Sequence, residues 1–347
     1  MAKRCAVEGV DMSEFWQGRS VFVTGATGLI GSWLVKRLLE LQAEVTVLIM
    51  DAESQSELYR SRAIDRVHVI NGRLEELSTL ERAINQNETG VVFHLGAQTL
   101  VPLAHRAPLA TFESNIRGTY NVLEACRTHR ALVQRIILAS SDKAYGEHDR
   151  AYHEEMRLNA SYPYEVSKAC GELIATAYYR TYGLPVVVAR CGNVYGGGDL
   201  NWSRIVPGTI RSLLLDERPI IRSNGELVRD YFYVEDAAQA YVALAEQAHR
   251  SDVQGQAFNF SMESPMTVLE MVRLLQRLMG CASVEPRILN DAPGELEKQT
   301  VLAEKARRVL EWQAQWNLED GLQKTIAWYR AFFEAHRVSQ RIESGLG

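Results

Sequence analysis

Cysteine is scarce in this 347-residue chain, with only Cys5, Cys126, Cys170, Cys191 and Cys281. No two stand at CxxC spacing and their number is odd. Neither a disulfide framework nor a zinc site is expected, and a reducing, cytoplasmic compartment suits the thiols. Long hydrophobic runs are missing as well. The longest, such as Val45–Met50, are strand-sized, whereas a membrane span needs about 20 apolar residues. Lys3 and Arg4 are followed by Glu8, Asp11 and Glu14 rather than an apolar segment, so residues 1–18 are not expected to form a signal peptide. Positive charge is in short supply. Lys+Arg number 38 against 43 Asp+Glu, a net charge of −5. A general nucleic-acid binder needs a basic face to neutralise phosphates, so that class is disfavoured, while a local basic pocket for one diphosphate is not. The sequence contains no internal repeat and no low-complexity segment.

What is present is an ordinary globular composition, 46% apolar and 23% charged, with enough apolar surface to offset the entropy of ordering. At about 150 residues per domain the length suggests roughly two domains. Short β-branched runs mark candidate strands at Ser20–Val23, Val45–Met50, Val67–Ile70, Val91–His94, Arg135–Ser140 and Pro185–Arg190. Amphipathic stretches between them predict helices over Ile30–Leu41, Ser78–Asn85, Leu109–Thr128 and Tyr164–Tyr182. Strand–helix alternation of this kind predicts a doubly wound, Rossmann-type α/β fold, a parallel sheet covered on both faces. From Gly196 the pattern turns to loops and short helices. Residues 18–195 are therefore expected to form the first unit and 196–335 a smaller mixed lobe, with Ala257–Phe260 returning to the sheet.

The first strand runs into Thr24-Gly25-Ala26-Thr27-Gly28-Leu29-Ile30-Gly31, with glycines at Gly25-x-x-Gly28-x-x-Gly31. Glycine adopts positive φ and lets backbone approach a pyrophosphate. A helix opening at Ile30 points its unpaired N–H groups at the phosphates. The loop follows a strand, opens a helix and precedes a second strand, the context that makes a dinucleotide site of Gly25, Thr27, Gly28, Leu29, Ile30 and Gly31.

That glycine spacing resembles the extended short-chain dehydrogenase/reductase superfamily, specifically its nucleotide-sugar epimerase/dehydratase family, and the resemblance covers roughly residues 19–330. Positions 45–58 hold no Lys or Arg, and Asp51 follows the second strand. A basic residue would accept the extra phosphate of NADP, and an acidic one binds the ribose of NAD. The resemblance therefore implies NAD, with Asp51 at the ribose and Leu74, Leu95 and Ala97 lining the cofactor. Arg73 stands where the superfamily often has an Asp near the adenine. His94, in His94-Leu95-Gly96-Ala97-Gln98, is either packed or in direct contact with the cofactor.

Tyr164-Glu165-Val166-Ser167-Lys168 is a Tyr-x-x-x-Lys motif whose two ends share one helix face. A phenol titrates near 10, too high for a base at neutral pH, and a neighbouring ammonium favours the phenolate. Lys168 is expected to supply that charge and to hold the nicotinamide ribose. Ser141 matches the superfamily's hydroxyl beside the sugar 4-hydroxyl. The next two residues, Asp142-Lys143, resemble the acid/base pair of CDP-glucose 4,6-dehydratases, as do segments such as Gly31-Ser32-Trp33-Leu34 and Arg190-Cys191-Gly192-Asn193-Val194-Tyr195-Gly196-Gly197-Gly198-Asp199. Arg229-Asp230-Tyr231-Phe232-Tyr233-Val234-Glu235-Asp236 departs from that group and keeps the general superfamily form. The base is thus open among CDP, GDP, UDP and dTDP.

The resemblance implies a dehydration with no net redox, in which Ser141, Asp142, Lys143, Tyr164 and Lys168 act on a nucleotide-diphosphate sugar. Gln98, Asn193, Arg204, Arg222 and Arg229 are the candidate substrate contacts, since a guanidinium grips phosphate oxygens bidentately. Asp236 is expected to close a local network, and Trp312, Trp316 and Trp328 to pack in the second lobe. Helices Leu109–Thr128 and Tyr164–Tyr182 are where the superfamily forms a homodimer. No metal, nucleic acid or membrane partner is expected. A 4-epimerase using the same Ser141, Tyr164 and Lys168, and a non-catalytic dinucleotide-binding protein, are the alternative readings.

Overall fold

The computed structural model describes residues 12–291 and 296–343. Seven strands form one parallel sheet: β1 (Ser20–Thr24), β2 (Glu44–Ile49), β3 (His68–Asn71), β4 (Val91–His94), β5 (Arg135–Ser141), β6 (Val186–Cys191) and, much later, Ala257–Phe260. Their order places Ala257–Phe260 at one edge, then β6, β5, β4, β1, β2 and β3. The order reverses between β1 and β4, which pair in register Val21↔Val91 through Thr24↔His94. At such a switch point the loops leaving two adjacent strands diverge and open a crevice at their carboxyl ends.

Alternation along each strand builds two separate cores, because successive side chains point to opposite faces. Val21, Val23, Val45, Val47, Ile49 and Phe93 face one layer, with Leu34, Val35 and Leu38 of α1 (Leu29–Glu40). Phe22, Leu48, Val92, Ile136 and Leu138 face the other, with Leu80 and Ile84 of α2 (Leu77–Gln86), Val122 and Cys126 of α3 (Gly118–Thr128) and Ala175 of α4 (Pro163–Tyr182). Full burial of each such Val, Leu or Phe contributes about 1.5–3 kcal/mol.

The second half adds a small sheet centred on Val228–Tyr233. That strand pairs parallel with Asn193–Tyr195 and Lys298–Gln299 and antiparallel with Pro265–Thr267. A third core gathers Tyr195, Ile210, Tyr233, Met271, Leu275, Leu322 and Tyr329 beneath it. Within 196–335, helix Val234–Gln247 turns back, and Ala237, Ala240 and Leu244 join the α1 layer of the first core.

Two expectations need correction. The stretch Leu109–Thr128 is not one regular helix: Pro108–Phe112 passes into a π-helical turn at Glu113–Arg117 before α3 begins. Asn115 lies in that turn with its side chain bonding outside the helix, and single π turns of this sort are frequent at functional sites. The tryptophans divide as well. Trp316 packs edge-on to Tyr233 in the third core. Trp312 instead packs edge-on to Phe260 and Phe232 in the first. Trp328 packs against the third core as expected, stacked on Phe332 with ring centroids 5.2 Å apart, and its indole N–H also donates to Glu57 Oε2 at 2.6 Å, joining the two halves. Lys36 Nζ holds the other oxygen of Glu57 at 2.5 Å.

Among the described residues no helix is long and apolar enough to cross a membrane, and no group of three His, Cys, Asp or Glu is placed to hold a metal.

Candidate active site

The crevice begins at the glycine loop. Gly25 has φ +75°, and a Cβ there would lie 2.7 Å from the Leu95 and Gly96 backbone. At Gly31 a Cβ would stand 2.1 Å from the Gly25 carbonyl oxygen. These two glycines are thus demanded first by the protein's own close packing, which presses β1's exit onto β4's exit and α1 onto both. Gly28 is the N-cap of α1 and offers no capping side chain. The first N–H groups of the helix are therefore left for a ligand, and the helix dipole favours an anion there. Thr27, Leu29 and Ile30 lie half-buried along the same rim.

Thr24 and His94 bind the two strand ends together. Thr24 Oγ1 lies 2.8 Å from His94 Nδ1 and accepts from the Gly96 N–H at 3.0 Å, while His94 Nε2 reaches Thr119 Oγ1 on α3 at 3.1 Å. His94 is buried, and that burial, with the Lys168 charge second, pushes it down to about 3. The geometry makes it a neutral internal link, settling the open question about this residue in favour of packing. Leu95, Ala97 and Gln98 continue half-buried from the end of β4. Leu74 lies over Gly96 and Gly118, with its carbonyl accepting from Asn121 Nδ2 at 3.0 Å. Asp51 is exposed just beyond β2. Arg73 is more than half exposed beside Glu75, 3.6 Å away. A glycine cradle, an uncapped helix terminus and a half-buried wall at a switch point fit a dinucleotide.

The second group of residues sits at the end of β5. Ser141 donates its hydroxyl to Asp142 Oδ1 at 2.9 Å and accepts the Lys143 N–H at 3.2 Å, which caps the 3-10 turn Asp142–Tyr145. Lys143 Nζ stands 3.5 Å from Asp142 Oδ1 and donates to Asn193 Oδ1 at 3.2 Å. Asp142 is 1% exposed. Its Oδ2 and Asn193 Nδ2 are buried without a hydrogen-bond partner among the described residues. Buried polar atoms left unpaired are costly, so both point to a ligand that completes them.

Tyr164 and Lys168 face the same turn from α4. Burial, and next the Asp142 charge, push the Tyr164 hydroxyl up to about 12, with the Ser141 hydroxyl and the Arg204 charge pulling down. Lys168 Nζ donates to the Ala139 carbonyl at 2.9 Å, and burial pushes it down to about 8. The Lys168 ammonium is aimed at β5 and burial dominates at Tyr164, so Lys168 alone does not make it a phenolate.

Among the expected substrate contacts, Arg204 faces Tyr164 electrostatically and pairs with Asp199 at 3.0 Å. Arg229 is buried, its Nη1 donating to the carbonyls of Val228 and Leu296 at 2.9 and 2.8 Å. Arg222 is exposed beyond Ile220–Ile221. Asp236 closes a local network as expected, accepting the N–H groups of Gln315 and Trp316. Asn115 was not anticipated. Its Oδ1 accepts the Gln98 N–H at 2.7 Å, and its Nδ2 donates to the Gln98 carbonyl and to Ser167 Oγ, both at 2.9 Å. It fixes the β4 exit to the helix carrying Tyr164 and Lys168. No spacing in the sequence announces it, because its partners lie 17 and 52 positions away.

A family profile described as the NAD dependent epimerase/dehydratase family matches residues 21–260. The chain belongs to that family. Its cofactor is accordingly NAD, which the glycine cradle fits. A CDP-glucose 4,6-dehydratase of Salmonella typhimurium is 29% identical over 333 residues, 92% of each chain. The dTDP-glucose 4,6-dehydratase 1 of Escherichia coli is 28% identical over 334 residues, 89% of this chain and 92% of that one. Among solved structures, a UDP-glucose 4-epimerase from Thermotoga maritima, with UDP-glucose, superposes with a TM-score of 0.83 at 28% identity over 90% of this chain and 99% of that one. A dTDP-glucose 4,6-dehydratase from Streptomyces venezuelae, with NAD, gives a TM-score of 0.81 at 26% identity over 90% and 97%.

Proposed function

We propose that this protein is a nucleotide-sugar 4,6-dehydratase, an NAD-dependent hydro-lyase acting on CDP-glucose and releasing an NDP-4-keto-6-deoxy sugar. The observation that carries the reading is the Asp142–Lys143 pair, held within reach of Tyr164 at the carboxyl end of β5, with Asp142 Oδ2 left unpaired. The CDP-glucose dehydratase relative supports the choice of base.

Gly25, Thr27, Gly28, Leu29, Ile30 and Gly31 hold the pyrophosphate, Asp51 the ribose, Leu74, Leu95 and Ala97 the rest of the cofactor, and Lys168 the nicotinamide ribose. When bound, NAD supplies a hydride acceptor at the sugar C4 and returns the hydride at C6. Ser141 hydrogen-bonds the 4-hydroxyl, and Tyr164 removes its proton. A phenol at about 12 is a poor base, and a cationic nicotinamide ring nearby favours the phenolate. The 4-ketone acidifies the C5 hydrogen. Lys143 removes it or stabilises the enolate, Asp142 protonates the departing 6-hydroxyl so that water leaves, and a solvent-exchangeable proton returns to C5 as the hydride reaches C6. Asn193 gives Lys143 a neutral acceptor as alternative to Asp142, and the unpaired Oδ2 is the carboxyl oxygen left to meet the 6-hydroxyl. Gln98, Asn193, Arg204, Arg222 and Arg229 take the sugar and diphosphate.

The working form is a homodimer in the cytoplasm. Support comes from Leu109 and Leu173, 70% and 65% exposed on the two helical stretches expected to pair. A monomeric mass in sedimentation at micromolar concentration refutes it. The halves divide the work, 18–195 with Ala257–Phe260 holding NAD and 196–335 the nucleotide sugar.

The decisive experiment incubates the enzyme with CDP-, UDP-, GDP- and dTDP-glucose. A 4-ketone with strong ultraviolet absorbance in alkali, formed fastest from the CDP sugar, is expected. Inversion of the 4-hydroxyl without water loss makes the protein a 4-epimerase, the reading favoured by the likeness to the Thermotoga enzyme. Neither change leaves a dinucleotide-binding protein.

A further inference from the structure

Behind the Tyr164–Lys168 pair lies a buried ionic network that the reaction scheme does not use. Glu172 stands one helical turn past Lys168, on the face that also carries Tyr164. Its carboxylate accepts from Arg190 Nε at 3.0 and 3.1 Å and from Arg190 Nη2 at 2.5 Å. Both residues are at most 5% exposed. Arg190 Nη1 continues to the Tyr145 hydroxyl at 2.7 Å, and that hydroxyl donates to Asn259 Oδ1 at 2.8 Å. The Ser140 hydroxyl donates to Glu172 Oε1 at 2.5 Å. Consecutive residues of β5 thus receive consecutive turns of α4, Ala139 taking Lys168 and Ser140 taking Glu172. Tyr145 closes the turn that carries Asp142 and Lys143.

We propose that Glu172 and Arg190 are positioning residues for the Tyr164–Lys168 pair. Arg190 fastens Glu172 to β6 and, through Tyr145, to the Asp142–Lys143 turn, and the Glu172 carboxylate keeps the buried Lys168 an ammonium. Two observations favour this over a purely structural pair. Burying two ions offers little net stability against an apolar pair of similar volume, so stability alone is a weak reason for the arrangement. Of the groups on the elements around Lys168, His94 on β4 is kept neutral by burial, Arg190 on β6 is held by Glu172, Asp142 on the turn is paired with Lys143, and Glu172, one turn away on the same face of α4, is the anion whose charge acts on Lys168. Burial pulls Lys168 down to about 8, and Glu172 is the charge that opposes it.

The chain carries seven lysines, few enough to titrate individually by NMR after 13C labelling of the side chains, with Lys168→Met assigning the signal. In Glu172→Gln the Lys168 midpoint is expected to fall by about one pH unit or more. Glu172→Asp, which keeps the charge, is expected to restore most of it. Since Gln at 172 leaves Arg190 buried and unpaired, Glu172→Gln/Arg190→Met serves as the folded control, verified by circular dichroism, and is expected to show the same fall. An unmoved Lys168 midpoint in either folded variant overturns the proposal. A second readout rests on the dehydratase reading. The alkaline limb of kcat/KM moves to lower pH in the double variant, whereas a structural defect scales the profile without moving it. A protein that forms no 4-keto sugar defeats that reading alone and leaves the titration to judge this one.

Discussion

The two sides of the crevice are built to different degrees of completion. On the α4 side, Lys168, Ser167 and Glu172 each have a partner, and Asn115 ties the helix to the β4 exit. On the side of the 142–145 turn, Asp142 Oδ2 and Asn193 Nδ2 are buried and unpaired, while Lys143 divides itself between two acceptors. The finished side suits a step whose groups the chain sets by itself. The unfinished side suits a step that takes its last contacts from the substrate. Fixed polar groups lower a barrier without reorganisation, whereas unpaired ones discriminate by what they lack.

Substitutions can break that contrast. Tyr164→Phe has the largest expected effect: loss of all turnover, about a thousandfold or more, with NAD retained. Substantial residual dehydration would remove Tyr164 from proton transfer. Lys143→Met is expected to stop water loss while oxidation at C4 continues, so reduced cofactor accumulates and solvent deuterium fails to enter C5. Unchanged turnover removes Lys143 from the scheme. Arg204→Ala, which faces Tyr164, is expected to raise KM about tenfold at little cost in kcat, and the exposed Arg222 to matter less. Equal effects would show that the diphosphate lies farther out than proposed. Smallest is a stability effect at His94. It is held near 3 in the folded chain against 6.5 when unfolded, so the unfolded chain binds the extra proton between those values. Stability is therefore lost as pH falls from about 6.5 toward 3. His94→Gln should flatten that acid slope in urea unfolding, and an identical slope would show that His94 does not set it.

How much of this was legible in the sequence follows from distance along the chain. The glycine loop, the Tyr-x-x-x-Lys motif and Asp142-Lys143 are contiguous, and all lie at the crevice. The six early strands fall within a residue or so of their expected bounds, because β-branched runs carry a strong local signal, all but the edge strand His68–Asn71 being largely buried. What could not be read depends on partners far apart. Asn115, in the π turn, bonds Gln98 and Ser167, and Trp328 reaches Glu57, 271 positions away. The motif shows that Lys168 is near Tyr164 but not that its ammonium turns to Ala139. Glu172 did leave a trace, repeating the four-residue step that joins Tyr164 to Lys168.

The route of the chain has a consequence for how the molecule comes apart. After building most of the central sheet it leaves for the outer lobe, re-enters to lay down Val234–Gln247 and Ala257–Phe260, and departs again, while Trp328 is tethered to Glu57. A protease nick near Gly197 would not free either half, since each is completed by segments threaded through the other. Melting should accordingly be a single cooperative event, and neither half expressed alone should hold its shape.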